Sequence, residues 1–205
     1  MGARARGRRS RLNPLVIHTA AARDVFVGFI GLWVAIELIS QIPILRQRVG
    51  HTFDPTRLVV AISLFGGFVL AVRAVGDRFW MFGGGWPSIG VGLGIASAGA
   101  VLRTWAIVTL GRFFTYDVTI QPGHRVVTAG PYRWVRHPSY AGGLVGLLGL
   151  GVALGSAAAV LALVLVPLIG VLIRIQYEER TLRRALGADY DAYAAHTPRL
   201  IPGIW

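Results

Sequence analysis

The feature that most constrains this chain is a run of 33 residues, 141–173, that contains no charged side chain. As one helix this run would be about 50 Å long, whereas the hydrocarbon core of a bilayer is about 30 Å thick. The run must therefore fold back on itself. Gly155 and Ser156 lie near its middle and are the natural place for a turn. We predict two antiparallel membrane helices that turn at these two residues.

Composition extends this prediction to the rest of the chain. Of the 205 residues, 54% are hydrophobic and 15% are charged, and the mean hydropathy is +0.59. A soluble domain has about 25% charged residues. Apolar segments at 25–44, 58–75 and 88–110 are each long enough to cross a bilayer. The fold class predicted is all-α, a polytopic membrane helix bundle with about five transmembrane helices. We expect residues 1–22 to be a basic, flexible segment and residues 23–205 to form one domain.

The charge of the chain restricts its partners. Its net charge is +12, and arginines concentrate in the loops after the first, third and fifth predicted helices. Basic loops favour the cytoplasmic side and anionic lipid headgroups, although the basic N-terminus then falls on the opposite side, against the same rule. No recognition module accompanies the charge, so nucleic acid is not an expected partner. Cysteine is absent, which excludes disulfides and Cys-ligated metals, and we expect no metal site.

Four apolar residues near the C-terminus recur at helical spacing. Leu182, Leu186, Tyr190 and Tyr193 are separated by four, four and three positions, which places them on one face of a helix. Arg180, Arg183 and Arg184 lie off this face. The pattern predicts a C-terminal amphipathic interfacial helix that lies along the membrane surface.

Two ionisable residues fall inside predicted membrane helices. Glu37 lies near the end of its segment, and we favour the interpretation that it reaches headgroups or pairs with Arg46 over a functional role. Arg103 either snorkels to the interface or points at the polar segment that follows it. The sequence does not separate these two alternatives.

The polar segment 111–140 and the end of the hairpin carry the candidate functional residues. Because the two ends of a hairpin lie on the same side, Arg174 can meet His137. On spacing alone, an interfacial salt bridge with aromatic anchors explains these residues slightly better than a functional site does. The ionisable and aromatic residues concerned are His124, Tyr132, His137, Tyr140, Arg174, Glu178 and Glu179.

The order and spacing of these residues resemble the isoprenylcysteine carboxyl methyltransferase family. The resemblance covers about residues 103–202, which would make this part the catalytic half. Each piece is weak alone, but together they are specific. The pieces are His124-x-Val126-Val127, Gly130-x-Tyr132, Arg136-His137-Pro138-Ser139-Tyr140 and Arg174-x-x-x-Glu178-Glu179.

The resemblance implies methylation, dependent on S-adenosyl-L-methionine, of a lipid-like acceptor that enters from the bilayer. It also implies an integral protein of a bacterial or archaeal plasma membrane whose active site faces the cytoplasm. The implied catalytic residues are Arg174, Glu178 and Glu179, with Arg174 similar to the family residue that binds the substrate carboxylate. The implied cofactor-binding residues are Asp117, which stands where the family has Gln, His124, Arg125, Val126, Val127, Tyr132, His137, Pro138, Ser139, Tyr140 and Glu178.

The residue types agree with this chemistry. A carboxylate is already ionised at neutral pH and needs no general base, whereas an amine or phenol acceptor would make His137 or Glu179 a candidate base. The planar guanidinium of Arg174 suits a carboxylate, and aromatic rings suit a sulfonium. Alternatives remain a phospholipid or isoprenoid N- or O-methyltransferase and a non-catalytic lipid-binding bundle. A nicotinamide-dependent membrane reductase is a further alternative, but the chain lacks a dinucleotide fingerprint.

Overall fold

The computed structural model describes residues 19–45, 54–115 and 120–203, with the side chains of 40–45 excepted. Most of the predicted N-terminal segment, Arg46 and Asp117 lie outside the described residues. The described part contains no β-strand, only an isolated bridge between Met81 and Ser156. Its helices are α1 (Ala20–Leu45), α2 (Thr56–Gly76), α3 (Trp86–Leu110), α4 (Pro138–Leu154), α5 (Ala157–Leu186) and α6 (Ala188–His196), with short 3₁₀ turns at Gly111–Phe113 and Gly130–Arg133.

The prediction of an all-helical bundle is confirmed. Among the described residues, α2, α3 extended by its 3₁₀ turn, and α5 are long and apolar enough to cross a membrane. Helix α4 is equally apolar but has 17 residues. Helix α1 has 26 residues and exposes many aliphatic side chains, as a lipid-facing helix does.

The predicted hairpin is also confirmed, and its turn is held from outside. Gly155 has a φ of +69°, a left-handed conformation that suits glycine. The hydroxyl of Ser156 accepts from the backbone N–H of Ala159 at 3.2 Å and donates to the carbonyl oxygen of Phe79 at 2.8 Å. The N–H of Phe82 donates to the carbonyl oxygen of Gly155 at 3.0 Å. The loop between α2 and α3 thus fixes the hairpin turn through the main chain.

Glycines bring α3 and α4 into backbone contact. A Cβ on Gly92 or Gly99 would overlap the backbone of α4, so only glycine fits at these two positions. Gly90 and Gly94 on the same helix instead face open space. The close approach places the end of α3 directly beside the beginning of α4.

The C-terminal region differs from the single amphipathic helix that the spacing predicts. Gly187, with φ of +54° and ψ of −130°, ends α5 and starts the short α6. The tail then folds back, where the carbonyl oxygens of Pro198 and Arg199 accept from the N–H groups of Arg136 and His137 at 2.8 and 3.0 Å. The helix is broken because the left-handed backbone at Gly187 redirects the chain toward the start of α4.

Candidate active site

The polar parts of the chain meet at one end of the bundle, opposite the hairpin turn. There they surround a cavity of about 580 Å³. Pro138 and Glu179 are buried but are not among its described lining residues. The predicted site residues that line it are His124, Arg125, Val126, Val127, Tyr132, His137, Ser139, Tyr140, Arg174 and Glu178.

The start of α4 positions the His-Pro-Ser-Tyr element. Pro138 occupies the first turn, where its fixed φ is favourable and its missing N–H costs nothing, while His137 stays outside the helical conformation. The His137 ring packs against that of Tyr140, with 5.8 Å between ring centroids. Its Nε2 lies 3.3 Å from Oε1 of Glu179. One histidine therefore connects the cavity wall to the carboxylate behind it.

Arg174 lies at the centre of a buried polar network. Its Nε donates to the hydroxyl of Tyr140 at 2.7 Å, and that hydroxyl donates to Oε2 of Glu178 at 2.9 Å. Its Nη1 lies 2.9 Å from Oδ2 of Asp54, at the start of α2. Tyr140 thus connects Arg174 to Glu178. The ion pair with Asp54 is a contact that the sequence analysis missed.

Glu179 holds two segments together behind the cavity. Its Oε1 lies 2.8 Å from Nη1 of Arg136, and its Oε2 lies 3.1 Å from Nη2 of Arg199 in the C-terminal tail. The carboxylate is buried, so removing either cation would leave part of its charge uncompensated. These contacts fit a positioning role for Glu179.

Glu37 and Arg103 form an ion pair on the cavity wall. Nε of Arg103 contacts Oε1 of Glu37, and Nη2 donates to Oε2 at 3.2 Å. Nη1 of Arg103 also donates to the carbonyl oxygen of Ser139 at 3.2 Å. Arg103 therefore points at the polar segment, and Glu37 pairs with a cation from α3. The expected contact with Arg46 falls outside the described residues.

His124 and Tyr132 are the predicted cofactor residues with the clearest environments. The His124 ring stacks on Phe113, and its Nδ1 is buried without a hydrogen-bond partner among the described residues. Burial lowers the pKa of His124, against the opposing charge of Glu178, so the ring is neutral at neutral pH. Burial, reinforced by Glu178, raises the pKa of Tyr132, which keeps its phenol protonated. A buried ring nitrogen without a partner is unfavourable unless a ligand supplies one.

An apolar arm continues the cavity between the helices. The Leu182, Leu186, Tyr190 and Tyr193 stripe also contributes to the wall, so this face of the C-terminal region points into the cavity. The cavity thus joins a charged end to a hydrocarbon-like interior. The apolar arm is lined by Ile30, Trp33, Val34, Val60, Ala61, Leu64, Leu144, Leu147, Leu150, Pro167 and Val171.

Asp54, Arg136 and Arg199 were not among the predicted functional residues. Asp54 stands two residues before α2, where its Oδ1 accepts from the N–H of Thr56 at 2.9 Å. Its partner Arg174 lies 120 positions away in the sequence. The one signal in the sequence was Asp54 itself, an acidic residue directly before the proline at a helix start. This residue proved to be buried.

Comparison with known proteins agrees with this geometry. Residues 92–184 match the sequence profile of the isoprenylcysteine carboxyl methyltransferase (ICMT) family. A probable protein-S-isoprenylcysteine O-methyltransferase of Oryza sativa subsp. indica is 38% identical over 116 residues, which is 56% of this chain and 61% of that protein. Protein-S-isoprenylcysteine O-methyltransferase B of Arabidopsis thaliana is 36% identical over 121 residues, 58% of this chain and 61% of that protein. The chain therefore spans about three fifths of the length of these relatives.

A solved structure extends the likeness to nearly the whole chain. The eukaryotic intramembrane Ras methyltransferase ICMT, solved without a monobody, superimposes with a TM-score of 0.65 at 25% identity. The match covers 93% of this chain and 70% of the other. With its apolar helices and this neighbour, the chain is an integral membrane protein. Its region 92–184, which holds most of the cavity's polar end, is similar to the isoprenylcysteine carboxyl methyltransferase family.

Proposed function

We propose that this protein is an S-adenosyl-L-methionine-dependent methyltransferase that methylates a carboxylate on a lipid-like acceptor, such as an isoprenylcysteine-type group. The observation that carries the proposal is a single cavity with Arg174 at its polar end and an apolar arm between the helices. An acceptor with an anionic head and a hydrocarbon tail matches both parts. In this proposal residues 23–205 form one domain and 103–202 its catalytic half, with Glu37 and Asp54 contributed from outside that half.

The residues at the polar end fit the proposed cofactor. The buried Nδ1 of His124 can bond to a polar group of a bound nucleoside. The Glu178 carboxylate and the Tyr132 ring favour a cation. When bound, S-adenosyl-L-methionine supplies a methyl group on a positively charged sulfur. We assign the cofactor to His124, Arg125, Val126, Val127, Tyr132, His137, Ser139, Tyr140 and Glu178, which line this end.

The proposed reaction asks for alignment and not for proton transfer. An acceptor carboxylate is ionised at neutral pH, since its unperturbed pKa is about 4. Bound S-adenosyl-L-methionine would supply the methyl group to one carboxylate oxygen, and its sulfur would keep the electron pair of the bond it gives up. No proton moves, so the protein has to orient the carboxylate and exclude water. Arg174 can orient it through the planar arrangement of its N–H groups.

The same proposal places the site end at the cytoplasmic face of a bacterial or archaeal plasma membrane. Arginines surround this end, and cationic segments favour the cytoplasmic side and anionic headgroups. Phe82 and Ala188 lie at opposite ends of the bundle and both are exposed. In this cysteine-free chain, Phe82→Cys and Ala188→Cys should label from opposite sides of intact cells. Labelling of both from one side would contradict the arrangement.

Calorimetry and a transfer assay test the activity. We expect the purified protein to bind S-adenosylhomocysteine and to transfer a labelled methyl group to N-acetyl-S-farnesylcysteine. The matched control is the methyl ester of the same compound, which has no free carboxylate and should accept nothing. Absence of S-adenosylhomocysteine binding would refute the methyltransferase, whereas binding without transfer would refute only this acceptor.

A further inference from the structure

Asp54 is a buried acid to which the proposed reaction assigns no task. Its side chain is 2% exposed, although it stands at the very start of α2. It lies outside the region 92–184 that matches the family. Burial of a carboxylate in a membrane bundle is unfavourable unless it is paired, so its partners define what it does.

Those partners attach Arg174 to the beginning of α2. Nη1 of Arg174 lies 2.9 Å from Oδ2 of Asp54 and donates to Oγ1 of Thr56 at 3.0 Å. The other oxygen of Asp54, Oδ1, accepts from the N–H and the hydroxyl of Thr56 at 2.9 and 2.6 Å. Asp54 is thus fixed by the backbone of α2, and it fixes one nitrogen of the guanidinium in turn. Tyr140 holds Nε, so two elements orient the group from two directions.

The proposed reaction removes the negative charge of the acceptor, which gives the Asp54–Arg174 pair a second role. An acceptor carboxylate carries one negative charge, whereas the ester formed from it carries none. A buried guanidinium that depended on the acceptor alone would lose its counter-ion at each methyl transfer. Asp54, whose Oδ2 lies 2.9 Å from Nη1 of Arg174, supplies a counter-ion that methyl transfer to the acceptor does not remove.

We propose that Asp54 is a positioning residue for Arg174, which orients the guanidinium toward the acceptor carboxylate and remains its counter-ion in the product state. This inference rests on the proposed function. Asp54 itself acts through Arg174 and touches neither cofactor nor acceptor in this assignment.

The inference predicts two opposite effects of Asp54→Asn. Loss of the charge leaves Arg174 less neutralised, so the acid form of the acceptor should bind several-fold tighter relative to its methyl ester. Loss of the anchor leaves the guanidinium less well oriented, so kcat should fall roughly tenfold or more. Affinity for S-adenosylhomocysteine should stay unchanged. A merely structural acid would lower the melting temperature without changing kcat per folded molecule or the preference for acid over ester.

The test uses the full chain in detergent and compares three variants. Binding of N-acetyl-S-farnesylcysteine and of its methyl ester is measured by calorimetry, and kcat and KM are measured with the acid. Asp189→Asn is the matched control, because Asp189 is an exposed acid in the first turn of α6, and it should change none of these values. Thr56→Val keeps both charges but removes the bridging hydroxyl, so it should lower kcat less and leave the acid-to-ester preference intact.

The outcomes separate this inference from the proposed function. The affinity ratio between acid and ester needs no turnover, so it decides the role of Asp54 even if methylation of this acceptor is not observed. An unchanged ratio in Asp54→Asn, or no preference for the acid in the parent protein, overturns the inference. If Asp54→Asn does not fold, an unchanged kcat in Thr56→Val overturns it. Loss of S-adenosylhomocysteine binding by the parent protein refutes the proposed function instead.

Discussion

The two ends of the bundle are ordered in different ways. At the hairpin end, main-chain hydrogen bonds and the Ser156 cap hold the turn, and aromatic side chains such as Trp80 are 59% exposed. At the site end, buried ion pairs connect segments far apart in the chain, as Asp54 and Arg174 do. The hairpin end is therefore stabilised by main-chain hydrogen bonds and a helix cap, whereas the paired charges at the site end orient side chains. Buried ion pairs contribute little net stability, because the cost of desolvating the two charges offsets much of their attraction.

The largest expected effect is that of Arg174→Lys at the site end. Lysine keeps the charge but loses the planar set of N–H groups, so turnover should fall by about 100-fold. S-adenosylhomocysteine affinity should remain nearly constant in calorimetry. Arg183→Lys, on the exposed part of the same helix, is the control and should be fully active. Full activity of Arg174→Lys would mean that orientation by Arg174 plays no part in turnover.

Gly155→Ala, at the hairpin end, should lower the stability of the protein without lowering its activity. The left-handed φ is costly for alanine, and its Cβ would lie 2.6 Å from the backbone of Gly83. We expect the free energy of unfolding to fall by roughly 2–3 kcal/mol. Activity per folded molecule should be unchanged. Gly94→Ala, where a Cβ meets open space, is the control for denaturation measurements.

Tyr132→Ala tests the cofactor side of the site end. If the ring stacks on the adenine, the variant should bind S-adenosylhomocysteine more weakly by roughly 1–3 kcal/mol, by analogy with base-stacking losses. Tyr177→Ala, at an exposed position on α5 that does not line the cavity, is the calorimetric control. Equal affinity of both variants and the parent would reduce Tyr132 to a packing residue.

The smallest expected effect is that of Ser156→Ala. The variant loses the cap of α5 and the hydrogen bond to Phe79, so the unfolding free energy should fall by about 1 kcal/mol. Ser97→Ala is the control, because that exposed hydroxyl donates to the carbonyl oxygen of Leu93 in its own helix. A change in kcat of the folded Ser156 variant would show that the two ends are coupled.

Much of the fold was predictable because the decisive signals are local. A charge-free run of fixed length must turn, and Gly155 is the residue that allows it. The split of the C-terminal helix at Gly187 was missed, since a helical spacing of apolar residues continues across that glycine. The stripe of Leu182 and Tyr190 indicated one buried face correctly, but hydrophobic spacing does not distinguish a lipid surface from a cavity wall.

By itself, the sequence determined that the chain is a membrane bundle, that it turns at Gly155, and which polar motifs stand at the ends of the hairpin. These features depend on residue type and on spacing of a few positions. Only the tertiary structure decided that Arg174 is held by Asp54, that Glu37 pairs with Arg103, and that Glu179 binds Arg136 and Arg199. The reason is physical: a buried charge takes whichever opposite charge the packing of helices brings near it. Helix packing is a long-range property that spacing along one segment does not contain.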